Sequence, residues 1–389
     1  MPETYSLYFH IPFCRHRCAY CDFNTYAGQE ASIPRYIQAL CAEIRLIGEC
    51  RGRLKVGTIF FGGGTPSLLT AAQFDEILQK IYLYFDVDSQ AEISLEANPG
   101  TVSPGSLTDL RAAGFNRISY GVQSANPEEL RMLERIHSYR EVIDAFKWSR
   151  RAGFDNLNMD LIYGLPGQGL ESWQTTVKLV TGLGPEHISA YALTLEHGTP
   201  FGRWAARGLL TIPDPDMAAT QYEWTTELLD SLGYGLYEIS NWCQPGHECR
   251  HNLQYWRNLE YLGLGAGAHG YADGCRYSNV LRIKSYIDRL SNSSDDDIKF
   301  PLSPAAVNQH RNTARENMQE TMLTGLRLTR EGISATGFQN RYGTGLTSAF
   351  GKEIEKLTAV GLLEWSGDCL RLTVRGRLIG NQVFLEFVN

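Results

Sequence analysis

The 389-residue chain lacks several features that are typical of particular classes of protein, and each absence argues against one class. It has no run of about 18 apolar residues, the length that a membrane-spanning helix requires. Its N-terminus has no basic segment followed by an apolar one, so no secretion signal is expected. No basic run stands out, and the net charge of -7 argues against a nucleic-acid partner held through its phosphates. We therefore expect a cytoplasmic protein that does not bind nucleic acid.

Cysteine is present, but not in the pattern of a disulfide framework. The nine cysteines are an odd number in a long chain, which favours reduced thiols. Cys14, Cys18 and Cys21 stand in the spacing C-x3-C-x2-C directly after an apolar, strand-like run. Three thiolates on one loop can bind three irons of a cubane iron-sulfur cluster and leave the fourth iron open for chemistry. The alternative is a partial zinc site with His16 as fourth ligand, although no second cysteine pair at zinc-finger spacing is present.

Short β-rich runs alternate with amphipathic stretches of helical length after the thiol loop, which predicts a parallel sheet. The predicted strands are residues 5–11, 56–61, 92–96, 117–122, 156–162 and 187–193. The predicted helices are residues 33–49, 71–85, 104–113, 126–133, 139–152 and 170–182, followed near the C-terminus by 305–326 and 346–360. Residues 362–365 and 369–373 predict a small hairpin after the last helix.

Glycine or polar clusters follow many of these strands, at residues 62–66, 96–99, 123–124 and 164–167. Ligands of parallel α/β proteins bind at the carboxyl ends of strands. We therefore expect these clusters and the thiol loop to lie at one mouth.

The thiol spacing, the strand before it and Tyr20 beside the last thiol resemble the radical S-adenosylmethionine (SAM) superfamily. In that superfamily SAM chelates the open iron of a 4Fe-4S cluster. The resemblance is closest to the branch that contains the oxygen-independent coproporphyrinogen III dehydrogenase HemN, and it covers residues 5 to about 270.

Matched motif by motif, the resemblance implies a SAM site on the strand ends. Its residues are Tyr8, Gly63, Gly64, Thr65, Glu96, Gln123, Arg135 in the helix that follows, and Asp160. An arginine can pair with the SAM carboxylate, and the acids can accept hydrogen bonds from ribose hydroxyls. Each residue alone has an ordinary explanation: a solvated arginine, an acid that caps a helix, or a glycine turn.

Two features separate this chain from the dehydrogenase. Phe23 stands where the dehydrogenase pattern has a further cysteine. We also expect the longer N-terminal segment of the dehydrogenase to be missing from this chain. Residues 251–256, HNLQYW, match the HNxxYW element of HemW-type heme chaperones. This resemblance implies that His251 is a heme ligand flanked by aromatic residues. A structural histidine remains an alternative, as does a zinc site formed by Cys243, His247, Cys249 and His251.

The resemblance implies an α/β fold: a partial (β/α)6 radical-SAM barrel with a smaller C-terminal α+β domain of winged-helix-like character. The predicted divisions are a barrel core (1–200), an extension with the HNxxYW element (201–290), a linker (291–302) and a small domain (303–389).

The function implied is that of a heme chaperone that binds a 4Fe-4S cluster, SAM and heme. Its implied partners are heme-accepting respiratory proteins, reached through peripheral membrane contact, with reduced flavodoxin or ferredoxin as electron donor. The alternatives are a HemN-like oxidative decarboxylase and a radical-SAM enzyme for another large planar substrate. Whether SAM is cleaved stays open.

Overall fold

The structure is a computed structural model that describes residues 4–292 and 298–388. The chain forms two compact units. The first comprises the residues up to Glu227 together with Glu260–His310, and the second comprises Leu228–Leu259 together with the described residues from Arg311 onward. The predicted division into four parts stays a prediction, and residues 293–297 of its linker lie outside the described residues.

The strands are β1 (Tyr5–Ile11), β2 (Phe13–Cys14), β3 (Tyr26–Ala27), β4 (Lys55–Gly63), β5 (Asp86–Ala97), β6 (Arg117–Gln123), β7 (Leu157–Tyr163), β8 (His187–Ala192), β9 (Gly235–Glu238), β10 (Asn241–Cys243), β11 (Tyr261–Leu264), β12 (His269–Ala272), β13 (Cys275–Asn279), β14 (Ala306–Arg311), β15 (Ile333–Ser334), β16 (Leu363–Ser366) and β17 (Cys369–Leu372). The helices are α1 (Ile33–Arg51), α2 (Ala71–Tyr84), α3 (Pro104–Ala112), α4 (Pro127–Met132), α5 (Tyr139–Arg151), α6 (Leu170–Thr181), α7 (Pro200–Ala206), α8 (Pro215–Ser231), α9 (Arg250–Trp256), α10 (Ile283–Ser291), α11 (Ala314–Gly325), α12 (Ala335–Tyr342), α13 (Leu346–Ala359), α14 (Val374–Leu378) and α15 (Gly380–Leu385).

The strands β1, β4, β5, β6, β7 and β8 form the predicted parallel sheet of the first unit. Each pairs in parallel with the next one in this series. The other edge of β1 pairs with β11, so the arc is open rather than closed by a pairing of β1 with β8. Strands that pair in chain order with helices between them define a partial (β/α)6 barrel, as predicted.

Aromatic side chains fill the layer between this sheet and its helices. The ring of Phe61 stacks on Phe9 at a centroid distance of 4.9 Å and meets Phe74 edge-on at 5.2 Å. Phe115 joins them, 4.9 Å from Phe74. These side chains are buried. Rings at such distances add directional contacts to the burial of apolar area, which fixes α2 on the sheet.

The predicted helix at residues 305–326 is wrong in its first part. Residues Ala306–Arg311 form β14, and the helix α11 begins only at Ala314. The start is set by a capping box, because the Thr313 side chain accepts from the Glu316 amide and the Glu316 carboxylate accepts from the Thr313 amide. This four-residue signal is visible in the sequence and would have given the correct boundary.

The second unit has its own apolar core, built from α11, α12, α13, α15 and a three-stranded sheet in the order β15-β17-β16. The predicted hairpin is confirmed as the antiparallel pair β16 and β17, with Leu363 opposite Leu372. Helices packed on a small antiparallel hairpin agree with the predicted winged-helix-like domain.

Within residues 4–292 and 298–388, no helix has the length and hydrophobicity to span a bilayer.

A buried carboxylate holds the end of the sheet around β11 together. Glu43 of α1 accepts hydrogen bonds from the Gly265 amide (2.8 Å), Asn279 Nδ2 (2.9 Å), the Tyr286 hydroxyl (2.6 Å) and the Ser303 hydroxyl (2.6 Å). Burial raises the pKa of the Glu43 carboxyl, while these donors oppose the shift. One side chain of α1 therefore fixes four segments that lie more than 200 positions further along the chain.

We expect Glu43→Ala to destabilise the first unit by at least about 3 kcal/mol, because it leaves buried donors without an acceptor. Urea unfolding followed by circular dichroism measures this loss. Glu49→Ala on the same helix removes only the exposed pair with Arg45, and its effect should stay within about 0.5 kcal/mol. Equal small losses for both variants would contradict the role given to Glu43.

Candidate cluster and cofactor site

The thiol loop is closed at its base by a short pair of strands. Strand β2 pairs in parallel with β3, with Cys14 opposite Ala27, and the Tyr26 amide donates to the Pro12 carbonyl at 2.8 Å. Within the loop the Cys21 amide donates to the Cys18 carbonyl at 3.1 Å. The loop that carries the thiols is therefore a defined structure at the carboxyl end of β1.

Each of the three thiols contacts a different neighbour. The Thr65 hydroxyl donates to Cys14 Sγ at 3.5 Å, and Cys21 Sγ lies 3.9 Å from the Thr25 hydroxyl. Arg135 Nη1 donates a hydrogen bond to Cys18 Sγ at 3.7 Å. Burial raises the pKa of the Cys14 and Cys21 thiols. A bound cation would lower these two pKa values, because coordination deprotonates a thiol.

In the described residues, no three or more His, Cys, Asp or Glu side chains converge closely enough to hold a single metal ion. The structure thus gives no support to either zinc alternative, with His16 or with Cys243, His247, Cys249 and His251. A cubane cluster needs less convergence, since each thiolate binds a different iron. The donor set of three free thiols on one loop fits a cluster of this kind.

The glycine run after β4 lies against the thiol loop. A Cβ on Gly64 would stand 2.6 Å from the Phe13 carbonyl oxygen and 2.8 Å from that of Ile11. Gly63 has a φ of +106°, and a Cβ there would meet the ring of His10 at 2.5 Å. The backbone can approach this closely only without side chains. The run is therefore a required close contact beside the thiols and is not a surface turn.

Tyr8 of β1 reaches the same place through His10. The Tyr8 hydroxyl donates to His10 Nδ1 at 2.9 Å, and His10 Nε2 donates to the Asn24 carbonyl at 2.9 Å. Both side chains therefore lie on one side of β1, as expected for residues two positions apart in a strand. Burial lowers the pKa of His10, so the ring that bridges the sheet and the thiol loop is neutral.

Glu96 lies near the carboxyl end of β5, and Asp160 lies within β7. The Gly63 amide donates to Glu96 Oε2 at 3.0 Å. Burial, and secondarily the charge of Asp160, raise the pKa of Glu96 to about 7. Asp160 accepts from the Ser119 hydroxyl and from Asn158 Nδ2, both at 2.7 Å. Two acids with fixed donors, one on β5 and one on β7, are suited to accept hydrogen bonds from hydroxyl groups.

Arg135 lies in the turn after α4 and not in a helix, so its predicted location was wrong. The turn carries Glu134 at a φ of +56°, and the Arg135 amide donates to the Leu130 carbonyl at 2.8 Å. Arg135 Nη2 donates to the Gly121 carbonyl at 2.7 Å, while Nε is buried and has no hydrogen-bond partner among the described residues. Gln123, at a φ of +66°, brings its Nε2 to the same point, because a Cβ on Gly121 would lie 3.0 Å from both Gln123 Nε2 and Arg135 Nη2.

The predicted residues of the first unit are thus brought together at one edge of the sheet. Thr65 contacts Cys14, Arg135 contacts Cys18, Gly63 contacts Glu96, and Gln123 lies beside Arg135. The buried donor at Arg135 Nε suits an anionic ligand such as the SAM carboxylate. The arrangement accordingly fits both a cluster on the thiols and SAM beside it.

Sequence reasoning missed a polar network behind Asp160. Asn158 Nδ2 also donates to the Ser119 hydroxyl at 2.7 Å, and Asn158 Oδ1 lies 2.6 Å from His187 Nδ1 and accepts from the Ser189 hydroxyl at 3.2 Å. These residues occupy β6, β7 and β8 and are buried. Polar residues at alternate positions of predicted buried strands were the available signal.

His251 belongs to the second unit, in the short helix α9. The residue is 1% exposed, and its Nε2 lies 2.8 Å from the Tyr255 hydroxyl. The two rings meet edge-on at a centroid distance of 5.0 Å. The guanidinium carbon of Arg327 lies 4.4 Å from the centroid of the Trp256 ring. The Trp256 Nε1 is buried and has no hydrogen-bond partner in the described residues. Histidine and aromatic residues are therefore adjacent, as the HNxxYW element predicted.

Comparison with known proteins agrees with this geometry. The radical SAM superfamily pattern matches residues 8–180, and the HemN C-terminal domain pattern matches residues 312–379. The heme chaperone HemW of Bacillus subtilis (strain 168) is 37% identical over 384 residues, with 98% of this chain and 99% of that protein covered. HemW of Escherichia coli (strain K12) is 41% identical over 268 residues, with 68% of this chain and 69% of that protein covered.

A solved structure extends the likeness to the whole fold. Coproporphyrinogen III oxidase (HemN) from Escherichia coli, described as a radical SAM enzyme, matches with a TM-score of 0.84 at 24% identity. The match covers 99% of this chain and 90% of that one. At this identity the likeness shows the fold and not the activity.

The open barrel with a three-thiol loop at its strand ends defines a radical SAM protein. Within that superfamily the chain belongs to the HemW family of heme chaperones.

His137, two residues after Arg135, generates a prediction for stability against pH. Its Nε2 donates to the Val122 carbonyl at 3.1 Å, and burial together with the charge of Arg135 lowers its pKa to about 4. Below its ordinary value of 6.5 the unfolded chain takes up a proton that the folded chain refuses, so stability should fall between pH 6.5 and about 4. In His137→Gln this part of the pH dependence should vanish, as measured by urea unfolding across that range.

The exposed His197→Gln is the matched control and should keep the parent's pH profile. An unchanged slope in His137→Gln would show that other groups cause the acid sensitivity.

Proposed function

We propose that this protein binds heme and transfers it to heme-dependent respiratory proteins, and that it holds a 4Fe-4S cluster and SAM in its barrel. The observation that carries the proposal is the full-length likeness to a heme chaperone, at 37% identity over 98% of this chain and 99% of that protein. A likeness of this extent includes both units and not only the cofactor barrel.

The barrel is proposed to bind its cofactors through the residues gathered at the strand ends. Cys14, Cys18 and Cys21 hold the cluster. The SAM residues are Tyr8, Gly63, Gly64, Thr65, Glu96, Gln123, Arg135 and Asp160. Bound together, a reduced cluster and SAM supply carbon-centred radical chemistry.

The protein's own contribution is to bind and orient. Arg135 presents its buried, unpaired Nε to a carboxylate, and Gln123 offers an amide beside it. Asp160 and Glu96 offer carboxylate oxygens to hydroxyl groups of the ligand. The glycines let the backbone after β4 pack against the thiol loop and the His10 ring.

Heme is proposed to bind at α9, where His251 would ligate its iron. The His251 Nε2 is engaged with the Tyr255 hydroxyl, so ligation of iron through this nitrogen requires that the hydrogen bond be exchanged for the metal. The adjacent rings of Tyr255 and Trp256 are of a type that covers a porphyrin face. Tyr255 thus has two proposed effects: it occupies the ligand nitrogen before heme arrives and contacts the porphyrin afterwards.

The proposed location is the cytoplasm. Acceptors at the membrane would be reached by peripheral contact, and reduced flavodoxin or ferredoxin would supply electrons to the cluster. The division into barrel core, extension, linker and small domain is part of the same proposal.

The test is heme retention by anaerobically reconstituted protein. Parent, His251→Ala and Tyr255→Phe are mixed with hemin and desalted, and the Soret absorbance is recorded. The parent should keep about one heme per chain and His251→Ala almost none. Tyr255→Phe frees the ligand nitrogen from a hydrogen bond worth about 1 kcal/mol, so its heme affinity should rise about fivefold.

Equal and weak retention by all three proteins would contradict the assignment of His251. In that case coproporphyrinogen III is the next compound to add, because the alternative oxidative decarboxylation consumes SAM and releases carbon dioxide. Neither the consumption of SAM nor the release of carbon dioxide is expected from a chaperone.

A further inference from the structure

We propose that Arg135 sets the reduction potential of the cluster by donating a charged hydrogen bond to the sulfur of Cys18. The inference rests on the cluster proposed above. It assigns Arg135 a second role, as a positioning and tuning residue for the cluster, that does not depend on whether SAM is bound.

The contact is held from both sides. Arg135 Nη1 lies 3.7 Å from Cys18 Sγ, while Nη2 is fixed on the Gly121 carbonyl at 2.7 Å. The side chain of Glu134 in the same turn adds a second link, because its carboxylate lies 3.1 Å from His16 Nε2 in the thiol loop. The guanidinium therefore has little freedom to leave the sulfur.

The three thiols differ in this respect. Cys14 and Cys21 contact the neutral hydroxyl groups of Thr65 and Thr25. Among the described residues, Cys18 alone has a charged donor within hydrogen-bond distance of its sulfur. Of the three irons held by thiolates, the one on Cys18 is thus the one whose ligand is paired with a cation.

The direction of the effect follows from charge. One-electron reduction adds a negative charge to the cluster, and part of this charge resides on the thiolate sulfurs. A guanidinium remains protonated at all relevant pH values and stabilises that added charge, more strongly in a site from which water is excluded. Arg135 therefore raises the reduction potential and makes the cluster easier to reduce.

The test is a redox titration of reconstituted protein without SAM, using dithionite and mediators and following the EPR signal of the reduced cluster. In Arg135→Gln the midpoint should shift to more negative values by about 59 mV, a tenfold change in the one-electron equilibrium constant. Arg135→Lys keeps the charge and should recover part of the shift. Iron content and the visible spectrum confirm that each variant carries its cluster.

A control variant separates this role from a general effect of charge. Arg131→Gln removes an exposed charge from α4, the helix just before Arg135. It should keep the parent's midpoint. An unchanged midpoint in Arg135→Gln, or an equal shift in Arg131→Gln, would overturn the inference. A parent that assembles no cluster would instead contradict the proposed function.

Discussion

The parallel pairing of six successive strands is the constraint on which the candidate site depends. Parallel strands end at one edge of a sheet, so residues far apart in the sequence are brought together there. Cys14 and Thr65 lie 51 positions apart and Cys18 and Arg135 117 positions apart, yet their side chains are in contact. The site thus follows from the topology of the sheet, with short loops providing the chemistry.

Burial gives these contacts their strength. The thiol loop, the glycine run and the carboxylate of Glu96 are packed against each other, and the raised pKa of Glu96 reports that its charge is poorly solvated. In such surroundings a fixed donor has a larger effect than it would in water. Arg135 and Asp160 are held by the donors and acceptors around them before any ligand arrives, which reduces the cost of ordering on binding.

Much of this could be predicted from the sequence because its signals are local. The thiol spacing, the glycine run and each strand or helix can be recognised within a short segment of the sequence. Arg135 was placed in a helix because one turn of backbone with a positive φ at Glu134 has no clear sequence mark. The partners of Glu43 and the network around Asn158 could not be predicted, since they join segments whose distance in space depends on the whole fold. The start of α11 was missed although its capping box was visible.

The proposed function requires that the strand ends hold a 4Fe-4S cluster with an iron open to SAM. The most direct measurement is the EPR spectrum of reduced, reconstituted protein before and after addition of SAM, with iron counted in the same sample. We expect about four irons per chain and a spectrum that changes when SAM is added, because SAM would chelate the open iron. A full cluster whose spectrum is indifferent to SAM would contradict it.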